Sequence, residues 1–510
     1  MRVFVFRFHS PMLINVVRRF RDEGTEVLYW EGSKHYFDAL RKSGEFPKTM
    51  FHNTIDAVRG IPALGLDVSS FEPAGKNLLE TMSPHEAQII RMMDAVDIDG
   101  ASYAKKKHLY TQYLSYWSGL LEKMKPDAIL FADIPHIAHQ YTLYALAKQK
   151  GVRTLMLRTI PVFGRLIFFS DHTCYDELAE EVHKTKGKLF NVSDLSADAR
   201  LYYERQTNLR VDAHPFYMKH EYIKGFQRGR RLLPNIQSIF QHLRDGTLFT
   251  TVHGYFGMLS RKRRIASIEG FEVTGFGLKK KMREWQGKKE NFREEHSRFV
   301  TLNPDYSRKF IYVALHKQPE ASTSAMGDVF VDQLLMVEML SRSLLPDWFL
   351  YVKESPLQWV NPRAELGRYP GYYEEMARYP NVILVPTDTD TFMLTELSQA
   401  VASVTGTVGF EAVLRGKPAL AFGHIWYQHC DGVFKVQNFD ACKQAICEIA
   451  AGSKPDKQKV LNFMVALDRG TVRGFPNLRF QKDTGIGIKE NVGAIAGAFG
   501  RMLGLRQGPN

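Results

Sequence analysis

Apolar and polar positions repeat along this chain at two periods, and the switches between them lay out its elements. Residues 2–8 (RVFVFRF) form a β-rich run, residues 12–24 carry apolar side chains at helical spacing up to a stop at Gly24, and residues 25–30 (TEVLYW) read as a second strand. A second βαβ unit follows, with a strand at 126–133 (PDAILFAD), a helix at 136–151 and a strand at 152–159 (VRTLMLRT). Runs this uniformly apolar predict parallel strands covered by helices on both faces.

Between 160 and 300 the rhythm is lost and the chain turns aromatic and basic. It returns at 308. Strands are predicted at 308–316, 348–354, 381–386, 400–405 and 418–423, and helices at 329–345, 389–399 and 407–416. The expected fold class is α/β, with two Rossmann-like doubly wound domains facing a cleft and a helical basic segment between them. The expected bounds are 1–210, 211–300 for the basic segment, 301–455, and 456–510 for helices that pack back on the first domain. Ligands of such sheets bind beyond the strand C-termini, so a nucleotide site is expected there.

The 510 residues are too many for one ordinary core, and an apolar fraction of 44% suits globular domains. No apolar run approaches the ~18 residues that cross a bilayer, and Arg7 and His9 interrupt the N-terminal run where a signal peptide needs it unbroken. A cytoplasmic location is expected. Cys174, Cys430, Cys442 and Cys447 include no C-x-x-C pair and read as reduced and structural.

Charge is uneven: residues 221–300 hold 17 Lys and Arg against 8 Asp and Glu, within a chain of net charge +13. There the apolar piece 247–259 runs into the basic residues 261–264, a pairing that suits an anionic membrane surface and predicts peripheral attachment through 247–264. A charged linker helix is expected at 278–296. A pI near 9.3 keeps RNA binding as a non-enzymatic alternative, but no RNA-recognition motif accompanies it and nucleic acid is not an expected partner.

Three strand ends in the second half carry polar groups suited to chemistry. In 404–420 a strand ends at Thr405, Gly406 permits a tight turn and a helix starts at about Thr407, which would leave N–H groups and hydroxyls for a phosphate. Glu411 follows one turn on, in reach of a ribose or base; the plainer reading is an N-cap and an exposed glutamate. The loop 315–333 holds His316, Lys317, Gln318 and Glu320, and is longer than most βα turns. The strand end at 351–359 offers Lys353 for a phosphate and Glu354 for a hydroxyl, or a surface ion pair. In the first half, Asp133 and His136 end a strand and could take a proton from an acceptor, or be a cap and a partly buried histidine. Asp388 and Asp390 match the Asp-x-Asp triplet of metal-dependent transferases, but helix capping explains them more simply, and no metal or other cofactor is expected.

The segments HKQPEAST, VFVDQ and VKESP, and the stretch from PNVILVP through VTGTVGFEAVLRGKPALAFGHIWY, resemble the capsule polysaccharide biosynthesis proteins over roughly residues 308–435. That family includes bacterial transferases using a cytidine-activated eight-carbon acid sugar, Kdo. The resemblance implies a glycosyltransferase of the GT-B type, with the nucleotide-sugar donor held by the C-terminal domain and a polysaccharide or glycolipid acceptor by the N-terminal one. It implies that Thr405, Gly406 and Thr407 cradle donor phosphate, that Glu411 meets the nucleoside, and that Lys353 and Glu354 flank the nucleotide. Glu320 would be the reacting carboxylate, as nucleophile or base, with His316 and Gln318 beside the donor. Relatives more often have histidine where this chain has Ser355, in Lys-Glu-Ser-Pro. A polyol-phosphate transferase or a nucleotide-sugar epimerase on the same fold is the alternative.

Overall fold

The computed structural model describes residues 1–162, 164–208, 260, 262–265, 267–269, 272–360 and 363–505. Its first sheet starts with β1 (Arg2–Phe6), β2 (Glu26–Gly32), β3 (Met50–Asn53), β4 (Ala128–Phe131), β5 (Arg153–Ile160) and β6 (Arg165–Phe169). A short antiparallel ribbon, β7 (Lys262–Arg264) and β8 (Glu272–Thr274), precedes a long helix, Gly275–Phe299. The second sheet consists of β9 (Lys309–Ala314), β10 (Trp348–Lys353), β11 (Val382–Val385), β12 (Ala400–Ser403), β13 (Ala419–Ala421) and β14 (Val433–Lys435). The last strand, β15 (Thr471–Arg473), pairs back with β6.

The second sheet runs β11-β10-β9-β12-β13-β14, wholly parallel. The first runs β15-β6-β5-β4-β1-β2-β3, parallel from β5 to β3 and antiparallel at β5–β6 and β6–β15. Both are doubly wound, with the strand order reversing between β1 and β4 and between β9 and β12. These are the points where a crevice opens outside the strand C-termini. The pair of Rossmann-like domains is the GT-B arrangement.

Local sequence explains the elements. Ser10 caps the helix Pro11–Asp22 by accepting from the Leu13 N–H, and proline at its first position costs no hydrogen bond. That helix packs Phe20 against Phe499 of the helix Ile488–Leu503, ring centroids 5.9 Å apart. Phe499 also meets Phe8 and Phe168, so the chain's end is built into the first domain's core. Each such buried ring is worth about 1.5–3 kcal/mol. Arg165 on β6 reinforces the return, bonding Asp198 at 2.7 Å and Asp468 at 2.5 Å.

Several expected spans shift. The helix read at 329–345 divides into a 3₁₀ turn, Asp328–Val331, and an α-helix, Gln333–Ser343, because Asp332 caps the latter at the Leu334 N–H. The region read as losing its rhythm from 160 onward holds β6 and the helices Asp176–Thr185 and Ala197–Thr207. The patch expected at 247–264 lies outside the described residues apart from Ser260 and β7. Among the described residues no helix is long and apolar enough to cross a membrane.

Candidate functional site

A cavity of about 360 Å³ opens at the second domain's switch point, within the ~300–1,000 Å³ typical of small-ligand sites. Its floor is the C-terminal ends of β9, β10 and β12. His316, Glu320, Lys353, Thr407 and Glu411 line it from this domain, and Arg158 on β5 reaches it from the other.

His316 organises the floor. The Thr405 backbone N–H can only donate, and it points at Nε2 of His316 at 3.1 Å. Nε2 is therefore the acceptor and the ring proton sits on Nδ1, which donates to Glu320 Oε1 at 3.3 Å. Gln333 fixes the histidine's backbone from both sides, accepting from its N–H at 2.6 Å and donating to its carbonyl at 3.0 Å. Burial pulls the Glu320 carboxyl upward, but the hydrogen bond from His316, with the nearby charge of Lys317, outweighs it and leaves the pKa below the ordinary value. A carboxylate held in this way stays ionised at neutral pH.

Lys353 ends β10 with its ammonium bonded to the Thr391 hydroxyl at 2.9 Å and to the Thr389 carbonyl. Burial pushes its pKa down to about 8, against the pull of Asp390 and Asp388. Those aspartates belong to the Asp-x-Asp triplet, and Asp390 Oδ1 caps the helix Thr391–Leu397 by accepting from the Phe392 and Met393 N–H groups at 2.7 and 3.1 Å.

The turn after β12 differs from the expected phosphate cradle. Thr405 spends its N–H on His316 and its hydroxyl on the Ser322 carbonyl, and the Gly406 N–H goes to Ser403 Oγ at 3.1 Å. Gly406 is required here because a Cβ would lie 2.5 Å from that same oxygen. The first unspent amides are those of Thr407 and Val408, neither of which has an acceptor among the described residues. Thr407 gives its hydroxyl to Glu411 at 3.1 Å, and the glutamate is a buried neighbour of the cavity and not an exposed helix residue.

Two expected donor contacts are committed elsewhere. Glu354 borders the cavity, yet its carboxylate takes Arg368 Nε at 2.8 Å and Nη2 at 2.9 Å, the Tyr373 hydroxyl at 2.6 Å and the Ser355 N–H at 2.7 Å. Four donors saturate it. Gln318 is buried and does not line the cavity; it donates to the Val331 carbonyl and accepts from Arg368 at 3.2 Å. Arg368 also donates to the His316 carbonyl at 3.1 Å, so this buried network fixes the loop that carries His316 and Glu320. Ser355 stays at the cavity wall.

Asp133 and His136 stand at the first domain's switch point and do not border this cavity. His136 donates from Nδ1 to the Ile134 carbonyl at 2.7 Å, which leaves Nε2 to accept from Arg7 at 2.9 Å. Burial and then the Arg7 guanidinium push its pKa down to about 4, so it is neutral with its lone pair already engaged. Asp133 lies between two guanidiniums, Arg158 at 3.7 Å and Arg7 at 3.9 Å. Arg7 holds a left-handed backbone, φ 64°, at the end of β1. Sequence reasoning missed Arg158, Gln333 and Arg368. The only signal for Arg158 is a charge inside the apolar strand TLMLRT.

Residues 346–449, which include β10 through the helix after β14, match the family model for capsule polysaccharide biosynthesis proteins. No curated protein matches the chain. Among solved structures, a KpsC β-Kdo 2,7 transferase from Thermosulfurimonas dismutans aligns at 10% identity over 98% of this chain and 100% of its own, with a TM-score of 0.32. The β-Kdo 2,4 transferase of that organism's KpsC aligns at 13% identity over 67% of this chain and 79% of its own, TM-score 0.30. The UDP-GlcNAc 2-epimerase of Neisseria meningitidis, bound to UDP-GlcNAc, aligns at 10% over 92% and 99%, TM-score 0.23. Likenesses this distant say nothing about substrate. The family match is of another kind: it rests on sequence, and the matched residues 346–449 supply Lys353, Thr407 and Glu411 to the cavity.

Proposed function

We propose that this protein is a glycosyltransferase that moves a sugar from a nucleotide donor to a bacterial capsule or other surface polysaccharide or glycolipid, with Kdo from a CMP donor as the favoured sugar. The observation that carries the reading is the convergence, in one cavity between the domains, of an ionised carboxylate, a buried ammonium and a guanidinium from the opposite side.

Glycosyl transfer builds positive charge on the anomeric carbon and negative charge on the leaving phosphate. Glu320 suits the first. His316 orients it through Oε1, and its depressed pKa makes it a nucleophile or charge stabiliser in preference to an acid. Lys353 suits the second, aided by the Thr407 and Val408 amides and by Arg158 across the cleft. Glu411 and Ser355 border the space left for the nucleoside. Asp133, the expected acceptor-side base, is held by Arg158 and Arg7 outside the cavity and serves the reaction by positioning Arg158, while His136 steadies Arg7. In this scheme Lys353 supplies the positive charge and no metal is needed.

Thermal-shift measurements with CMP, UDP, GDP and CDP test the reading, since a ligand that binds only the folded state raises its melting temperature. One nucleotide should stabilise the protein selectively. If none of the four does so at millimolar concentration, the reading is wrong.

A further inference from the structure

A second cavity, of about 200 Å³, adjoins the first and shares Arg158, Thr405 and Thr407 with it. Three separate parts of the chain join the turn after β12 to build it. Ile160 and Pro161 come from the end of β5, Trp426 from the loop after β13, and Phe475, Pro476 and Phe480 from the segment that follows β15. It exists because the chain's end returns to the first domain and closes the seam beside the donor side.

The walls define what fits. The volume falls below the ~300 Å³ at which pockets begin to hold larger ligands, so one ring fits and a nucleotide does not. Aromatic and proline surfaces dominate, with Thr159, Thr405, Thr407 and Thr484 beside them; the last three donate their hydroxyl protons to Ser322, Glu411 and Gln481 and so offer a ligand oxygen lone pairs. Arg158 is the one charged group among the described lining residues, and it stands at the junction with the donor cavity. An acyl chain would make no use of these hydroxyl oxygens or of a guanidinium. A pyranose ring has C–H faces for the flat apolar walls and a rim of hydroxyls for the threonines and Arg158.

We propose that this cavity is the acceptor subsite and takes the terminal sugar ring of the growing saccharide, with the reacting hydroxyl directed past Arg158 toward Glu320. The inference rests on the transferase reading, and its test is separable from that one.

The experiment is saturation-transfer NMR on the full chain, with the responding nucleotide present, using the methyl glycosides of glucose, galactose, N-acetylglucosamine and Kdo as probes. At least one should receive saturation on its ring protons from the wild-type protein. Phe480→Ala, which removes a wall, and Thr159→Trp, an exposed position whose indole would fill the space, should each weaken that signal by about fivefold or more. The nucleotide-induced thermal shift should be unchanged in both, which also reports that they fold. The proposal is overturned if no glycoside is saturated by the wild type, if both variants retain the full signal, or if the nucleotide shift disappears with the signal. The last outcome would assign the cavity to the donor's base. A wild-type protein that answers to no nucleotide would instead count against the transferase reading itself.

Discussion

The two domains reverse their strand order in the same way, but the side chains at the two switch points are put to different uses. At β9 and β12 the polar groups converge on open space: His316 uses both ring nitrogens to hold Glu320 and Thr405 in place, and Lys353 is buried at the cavity wall. At β1 and β4 they close on one another, with His136 bonded to Arg7 and Asp133 shared between Arg7 and Arg158. Topology supplies a crevice in both places. Whether it becomes a site depends on whether the charged groups there are left something to bind. The domains differ in this respect because the His316 loop is held from behind by Gln333 and Arg368, which frees its polar face.

This contrast can be broken by mutation. The largest effect is expected from Glu320→Gln, which should lower transfer by about 10³-fold or more while the nucleotide thermal shift persists; steady-state rates and melting curves check it, and undiminished turnover would remove Glu320 from the reaction. Glu354→Gln should act on folding, because it leaves the Arg368 guanidinium buried without its counter-charge. A loss of about 3–5 kcal/mol in urea unfolding is expected.

Lys353 sets a pH dependence. Its folded pKa of about 8 lies below the ordinary 10.5, so it is charged below that pH and neutral above. Nucleotide affinity should fall about tenfold between pH 7 and 9, and Lys353→Arg should flatten the profile. The stability effect has the opposite sign: the folded state bears the cost of a buried charge below pH 8, and that cost is relieved as pH rises from 8 towards 10.5. Asp390→Ala should cost only about 1 kcal/mol in unfolding, the value of a lost helix cap, and transfer should proceed at full rate in EDTA. His136→Gln should have the smallest effect, a fall of less than about tenfold in kcat with a pH profile unchanged between 6 and 8, since the histidine is neutral there and its lone pair is occupied.

The sequence made the fold legible where strands are buried on both faces. AILF in β4 and KFIYVA in β9 are apolar runs bounded by turns, and no other element fits them. It was silent where pairing is purely tertiary. β15 is three residues, TVR, with no pattern of its own; it is a strand because β6, some 300 residues earlier, offers an edge. The site divides in the same manner. His316, Glu320, Lys353 and Thr407 sit at strand ends, which can be located from periodicity alone. Glu354 and Gln318 sit at the same ends but face Arg368, a residue in an irregular segment whose sequence gives no hint of where it folds. Sequence position locates a strand end, and the direction of each side chain there depends on partners that only the fold brings together.

Donor nucleotide is expected to occupy the cavity above β9, β10 and β12. Ser355→Trp tests it most directly, because that position lines this cavity alone of the two and an indole there would fill it. The variant should keep the melting temperature of the unliganded protein and lose the nucleotide-induced shift. A shift equal to the wild type's, from a folded Ser355→Trp protein, would place the nucleotide elsewhere and contradict the account.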